Sequence, residues 1–175
     1  EVEVTGVAPG QLSTVTAVLR ESGCRVDSGG GTVSLRKTSP RRGTGTVRTA
    51  PYPGFPTDAQ PPVMAALASS RGTTVFVETI FENRFRHAGE LARMGAQIRV
   101  EGRVAVVCGV PRLHGAPVHA ADLRGGAALC VAALAAEGET RVSQICHIDR
   151  GYEDLARDLR ALGADAVRVE ETENG

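Results

Sequence analysis

Apolar positions along the chain alternate between helical and strand-like spacing. Leu12, Val15, Val18 and Leu19 share one helical face and run into Gly23, a residue suited to the left-handed conformation that closes a helix. The ending Leu19-Arg-Glu-Ser-Gly23 returns as Leu91-Ala-Arg-Met-Gly95 and as Leu159-Arg-Ala-Leu-Gly163, and each is followed by a short strand-like stretch. Hairpin signals come after the first two: Asp27-Ser-Gly-Gly-Gly31, and Glu101-Gly102 between Ile98-Arg-Val and Val104-Ala-Val-Val.

A longer correspondence links Gly72–Arg84 to Gly138–Arg150 at a constant offset of 66 residues. Each run reads as a glycine helix stop, a strand, an Asn83 or Asp149 cap, and an arginine opening the next helix. Asp58 precedes the helix that ends at Gly72, and Asp122 precedes the one that ends at Gly138. The segments Thr38-Ser-Pro-Arg-Arg-Gly and Pro51-Tyr-Pro-Gly-Phe-Pro56 are too rich in Pro and Gly for regular structure. Pro61 and Pro62 suit a first helical turn, so the helix after Asp58 survives them. The pattern predicts an α/β fold of repeated helix–strand units. Residues 1–49 close a preceding repeat and add a linker strand, 50–110 form one repeat, and 111–175 form the next.

Composition narrows the function. Basic and acidic side chains balance at 20 each, which argues against a polyanion-binding surface, and aromatic residues make up only 3%, too few to stack bases. Nucleic acid is therefore not an expected partner. The longest uncharged apolar run, 125–136, is shorter than the roughly 20 residues that span a bilayer. The chain opens Glu-Val-Glu-Val, without Met, signal-like basic start or apolar stretch, and reads as a piece of a longer polypeptide. Cys24, Cys108, Cys130 and Cys146 form no CxxC pair and are expected as core or near-core thiols in a reducing cytoplasm. His87, His114, His119 and His147 lack metal-ligand spacing and are expected to pack or to lie at the surface.

The charged residues at the helix starts carry the candidate chemistry. A cation in a first turn opposes the helix dipole, yet Arg84, Arg124 and Arg150 all stand at such starts. Each has a bland local pairing open to it: Arg84 with Glu82 or Glu90, Arg124 with Asp122, Arg150 with Asp149. Three arginines at equivalent starts instead favour a bound anion, which helix N–H groups and guanidinium forks both attract. Asp58 reads from the pattern either as a helix cap or as a functional carboxylate.

Four runs then point to a family. Arg48-Thr-Ala-Pro-Tyr-Pro-Gly-Phe-Pro-Thr-Asp-Ala-Gln60, Glu78-Thr-Ile-Phe-Glu-Asn-Arg-Phe-Arg-His87, Ala121-Asp-Leu-Arg124 and His147-Ile-Asp-Arg-Gly-Tyr-Glu153 resemble, in order and spacing, the second half of UDP-N-acetylglucosamine enolpyruvyl transferases. The resemblance implies the enolpyruvyl transferase fold, an inside-out α/β barrel of βαβαββ-type repeats with helices inward and sheets outward. It implies transfer of an enolpyruvyl group from phosphoenolpyruvate to UDP-N-acetylglucosamine, without metal or organic cofactor, as the committed step of peptidoglycan synthesis. Asp58 matches the family's proposed base at the sugar hydroxyl, and Ile80 a position whose backbone contacts the nucleotide sugar. Arg84, Arg124 and Arg150 match arginines lining the phosphoenolpyruvate site, and Asp122 an acidic residue that orients them. The family's phosphate-binding lysine and reactive loop cysteine belong to an amino-terminal half with no match here, so catalysis by this chain alone is not expected. A stand-alone nucleotide-sugar or anion-binding module, and an inactive relic, remain as alternatives.

Overall fold

A computed structural model describes residues 1–169. The first unit pairs β1 (Val2–Thr5), β2 (Cys24–Gly29) and β3 (Thr32–Lys37) in an antiparallel sheet of order β1-β3-β2, with α1 (Ser13–Glu21) packed against it. Gly30 and Gly31 turn the hairpin with φ of 56° and 76°, the positive values that a tight two-residue connection demands. Cys24, Val26 and Val33 form its small core, covered by Leu12 and Leu19 from the helical face that the spacing predicts.

The second unit is a four-stranded sheet. β4 (Thr46–Arg48) runs parallel to β5 (Thr73–Val77); β6 (Gln97–Glu101) and β7 (Val104–Cys108) complete the order β4-β5-β7-β6 with antiparallel pairing. Between β4 and β5 lies α2 (Gln60–Leu67), with Pro at its first positions, and between β5 and β6 lies α3 (His87–Arg93). The third unit repeats the plan in shorter form. The strand pairs β8 (Leu113–His114) with β10 (Ala136–Glu137) and β9 (Pro117–His119) with β11 (Arg141–Ser143) are both parallel. α4 (Leu123–Ala133) is followed by α5 (Cys146–Asp149) and α6 (Leu155–Ala161).

Helices α2 and α4 pack on each other at the centre, and both are apolar around most of their circumference, the signature of an interior helix. Met64, Leu67, Leu91, Met94 and Leu129 are almost wholly buried, each contributing about 1.5–3 kcal/mol. Small residues let α4 sit deep: a Cβ on Gly126 would lie 2.7 Å from Ile148 Cγ1 and 2.8 Å from Ala120 Cβ. Outward, β6 is exposed at every position except half-buried Ile98. Helices inside and sheets outside is the arrangement that the resemblance implies. Among the described residues, no helix is long and apolar enough to cross a membrane.

The 66-residue correspondence survives in three dimensions. Gly72 and Gly138 both take φ 91°, but neither is the helix stop expected of it, since α2 ends at Leu67 and α4 at Ala133 with β10 intervening; the last three residues of β5 align with β11 at that offset. Upstream the offset becomes 71, since β4 corresponds to β9; Thr49 N–H donates to the Val77 carbonyl as Ala120 N–H donates to that of Ser143. The first repeat therefore holds five more residues between strand and helix, in the Pro-Gly-rich loop before Asp58.

Several local expectations are corrected. No strand follows Gly163 within 164–169, and the rest of the segment assigned to the last repeat, 170–175, lies outside the described residues. Cys24 is buried and Cys130 half-buried, but Cys108 and Cys146 are exposed: Cys108 lies on the outward side of β7, and Cys146 begins the short surface helix α5. Arg84 stands in a turn before α3, which begins only at His87, because Phe85 must first turn into the core. Arg150 follows α5 at its carboxyl end, where a cation agrees with the dipole, so the dipole argument for an anion does not apply to it.

Candidate active site

Asp58 lies in a single 3-10 turn, Thr57–Ala59, which delivers the chain from the Pro-Gly loop into α2. Its carboxylate is the meeting point of two arginines from different repeats. Arg84 Nη2 donates to Oδ1 at 2.7 Å, while Arg124 reaches Oδ2 with Nε at 3.2 Å and Nη2 at 3.1 Å. By the 66-residue offset, Asp58 and Arg124 occupy the same position of their repeats, so packing α2 on α4 sets the two helix starts side by side.

The arginines are held from behind. Arg84 lies over the Phe81 ring, 5.4 Å from its centroid, and its side chain is only 16% exposed, with Nε buried and unpartnered. Arg124 lies over the Tyr152 ring at 5.5 Å and donates from Nη1 to the Tyr152 hydroxyl at 3.2 Å. Burial works against the Arg124 charge, but the Tyr152 hydroxyl and the Asp58 carboxylate outweigh it and raise its pKa above the ordinary value. Asp58 itself stays open, its side chain 56% exposed.

None of the bland local pairings forms. Glu82 pairs with Arg103, Asp149 with Arg168, and Glu90 accepts from the His119 N–H. Asp122 caps α4 by accepting from Gly125 N–H at 2.8 Å, so it touches the cluster only by fixing the turn from which Arg124 projects. Arg150 is exposed and makes no ion pair among the described residues. It adjoins Gly151, which packs on Leu123 at the start of α4, and stands two positions from Tyr152. The structure thus brings Asp58, Arg84 and Arg124 into contact and leaves Arg150 at the edge as an uncompensated charge.

Ile80 is 39% exposed, and its N–H is consumed internally by Glu78 at 2.7 Å. Its carbonyl is the backbone group left for a ligand. Glu78 is buried at 1% exposure and accepts from Thr49 Oγ1 and Thr57 Oγ1 at 2.9 Å each and from Phe81 N–H at 3.2 Å. Burial, the largest single influence, pushes its pKa up, yet the four hydrogen bonds together bring it below the usual carboxylate value. Neither Glu78 nor Tyr152 is singled out by the sequence reading, although both lie in the quoted runs. Strand alternation exposes Glu78: Thr74, Phe76 and Glu78 share one parity, and all three are buried.

His87 sits beneath this cluster, 2% exposed, with neither ring nitrogen hydrogen-bonded. Burial lowers its pKa to about 4; the nearby Asp122 carboxylate opposes the shift and the Arg84 guanidinium adds to it. Among the described residues, no group of three or more His, Cys, Asp or Glu side chains is arranged to hold a metal ion.

Residues 1–159 match the family model described as EPSP synthase (3-phosphoshikimate 1-carboxyvinyltransferase). The chain is 53% identical over 169 residues to a UDP-N-acetylglucosamine 1-carboxyvinyltransferase of Desulfofundulus thermocisternus, covering 97% of this chain and 69% of that protein. It is 49% identical to UDP-N-acetylglucosamine 1-carboxyvinyltransferase 3 of Caldanaerobacter subterraneus subsp. tengcongensis, covering 98% of this chain and 41% of that one. The chain thus spans about two fifths of the length of most of these relatives. Among solved structures it is similar to the enolpyruvyl transferase NikO from Streptomyces tendae, with a TM-score of 0.82 and 35% identity over 93% of this chain and 38% of that one. An EPSP synthase from Acinetobacter baumannii, at TM-score 0.68 and 22% identity over 97% of this chain and 40% of that one, shares the fold.

Proposed function

The chain belongs to the UDP-N-acetylglucosamine 1-carboxyvinyltransferase family, and from that we propose that it is the carboxy-terminal part of such an enzyme. The proposed reaction, in the cytoplasm, transfers the enolpyruvyl group of phosphoenolpyruvate to a hydroxyl of UDP-N-acetylglucosamine and releases phosphate. The observation that carries this reading is the open Asp58 carboxylate held between guanidinium groups from two repeats.

In that reaction Asp58 accepts the proton of the sugar hydroxyl, whose oxygen bonds to C2 of phosphoenolpyruvate while C3 gains a proton from an acid outside this chain. Loss of a C3 proton and cleavage of the C2–O bond to phosphate then restore the double bond. Phosphoenolpyruvate brings a carboxylate and a phosphate, and Arg84 and Arg124 share the single Asp58 carboxylate while Arg150 has no ion pair among the described residues. Guanidinium groups fixed before the substrate arrives stabilise charge in the tetrahedral intermediate without reorganising. The Ile80 carbonyl accepts from the nucleotide sugar.

The test is a coupled assay for phosphate release from the two substrates, run on this chain alone and on the chain joined to an amino-terminal half. Turnover only in the joined protein supports the reading. Turnover in neither, with binding retained, identifies a nucleotide-sugar or anion-binding module instead. In the joined enzyme Asp58→Ala lowers kcat by roughly 100-fold or more while substrate binding changes little, and unchanged turnover removes the base role.

A further inference from the structure

We propose that Glu78, which does not itself reach the open face, is the positioning residue of the site, acting on Asp58 through Thr57 and on Arg84 through Phe81. The inference rests on the proposed transferase reading.

A buried carboxylate is costly to desolvate unless it is fully hydrogen-bonded. Glu78 meets that cost with four donors from three separate stretches of chain: Thr49 at the end of β4, Thr57 beside Asp58, and the N–H groups of Ile80 and Phe81 after β5. Thr49 is itself completely buried and locked, since its hydroxyl also accepts from Thr79 N–H at 2.8 Å and its carbonyl accepts from Thr79 Oγ1 at 2.6 Å. Glu78 is thus anchored to the end of strand β4 on one side and to two turns on the other.

Each turn carries one member of the ion pair. Thr57 precedes Asp58 in the 3-10 turn, and its carbonyl lies 3.5 Å from Arg84 Nη2. Phe81 supplies the ring on which Arg84 rests. The inserted loop makes this tie necessary: the first repeat has five residues more than the second between strand and helix, and Thr57 Oγ1 to Glu78 Oε2 fastens the far end of that loop. The second repeat, with the short connection, places Gln144 where the first has Glu78, and there the chain needs no anion.

The two routes predict different kinetics in the complete enzyme. Thr57→Val cuts the link to Asp58 and leaves Glu78 three donors, so it lowers kcat by about 10-fold to 100-fold with the KM for phosphoenolpyruvate within about three-fold of wild type. Glu78→Gln keeps the shape but removes the charge and puts an amide donor against the Thr57 hydroxyl. It lowers kcat comparably and also raises the KM for phosphoenolpyruvate, because the Arg84 platform loosens as well. A merely structural role gives neither split: activity then follows the fraction of folded protein. Wild-type kcat in Thr57→Val, or losses in both variants that simply track melting temperature, overturns the proposal. If Glu78→Gln does not fold, Thr57→Val alone decides. Asp58→Asn separates the two levels: a dead Asp58→Asn beside a fully active Thr57→Val refutes only the positioning role, a fully active Asp58→Asn refutes the base role of Asp58 on which the proposal rests, and wild-type complete enzyme without turnover refutes the transferase reading itself.

Discussion

His87 makes the stability of this domain depend on pH in a window set by one side chain. Burial lowers its pKa from 6.5 to about 4. The folded chain therefore keeps the imidazole neutral where the unfolded chain takes up a proton. Because the folded value is the depressed one, the contribution is fully present above pH 6.5 and is lost as pH falls from 6.5 towards 4. The gap between the two values corresponds to about 3 kcal/mol. His87→Leu removes the titration. It also removes two buried nitrogens without partners, so the variant should match or exceed wild type at neutral pH, an unpaired buried polar group costing about 1–3 kcal/mol. Melting curves of wild type and variant between pH 8 and 4 read the difference, in which titrations common to both proteins cancel. Relative to the variant, wild type should lose about 6–12 °C across the window. A constant difference, or an imidazole resonance from His87 with its midpoint near 6.5, refutes the reasoning.

Two further outcomes concern the arginine clamp. Asp122→Ala removes the only side-chain cap of α4 and should cost about 1 kcal/mol in a melt, whereas Asp122→Asn, whose amide oxygen caps as well, should retain wild-type stability. Tyr152→Phe keeps the ring under Arg124 and deletes its hydroxyl. Since the Arg124 side chain is 29% exposed and solvent weakens the lost bond, the KM for phosphoenolpyruvate should rise only about three-fold to ten-fold in steady-state kinetics, and an unchanged KM would remove Tyr152 from the site.

The repeat architecture was legible because glycine turns and strand periods are local signals: Gly23, Gly95 and Gly163 directly follow helix ends, and they and Gly72 and Gly138, which precede β5 and β11, all adopt positive φ. Element ends were less legible, since tertiary packing decides them. Arg84 looked like a helix start, but Phe85 is drawn into the core and the helix waits until His87. Arg150 looked equivalent to it, yet the second repeat spends its residues on α5 and leaves the arginine at the carboxyl end of that helix. Of the candidate site, Asp58, Arg84 and Arg124 do come together, but their mutual pairing was hidden. Every plausible local acid lay closer in sequence, and only the contact of α2 with α4 makes the distant one nearest. Glu78 escaped because an acidic residue at a strand end reads as surface unless its parity with Phe76 is followed.

The bond between Arg124 and Asp58 spans 66 residues of chain. Contacts so distant in sequence bear a loop-closure cost that nearer ones do not, and they form only once the intervening elements have docked. A chain in which just one repeat has ordered carries Asp58 or Arg124, never the clamp. The clamp is complete only once α2 is docked on α4. An anionic ligand that needs the clamp would bind only the docked structure, and by mass action it would stabilise that state against the unfolded chain.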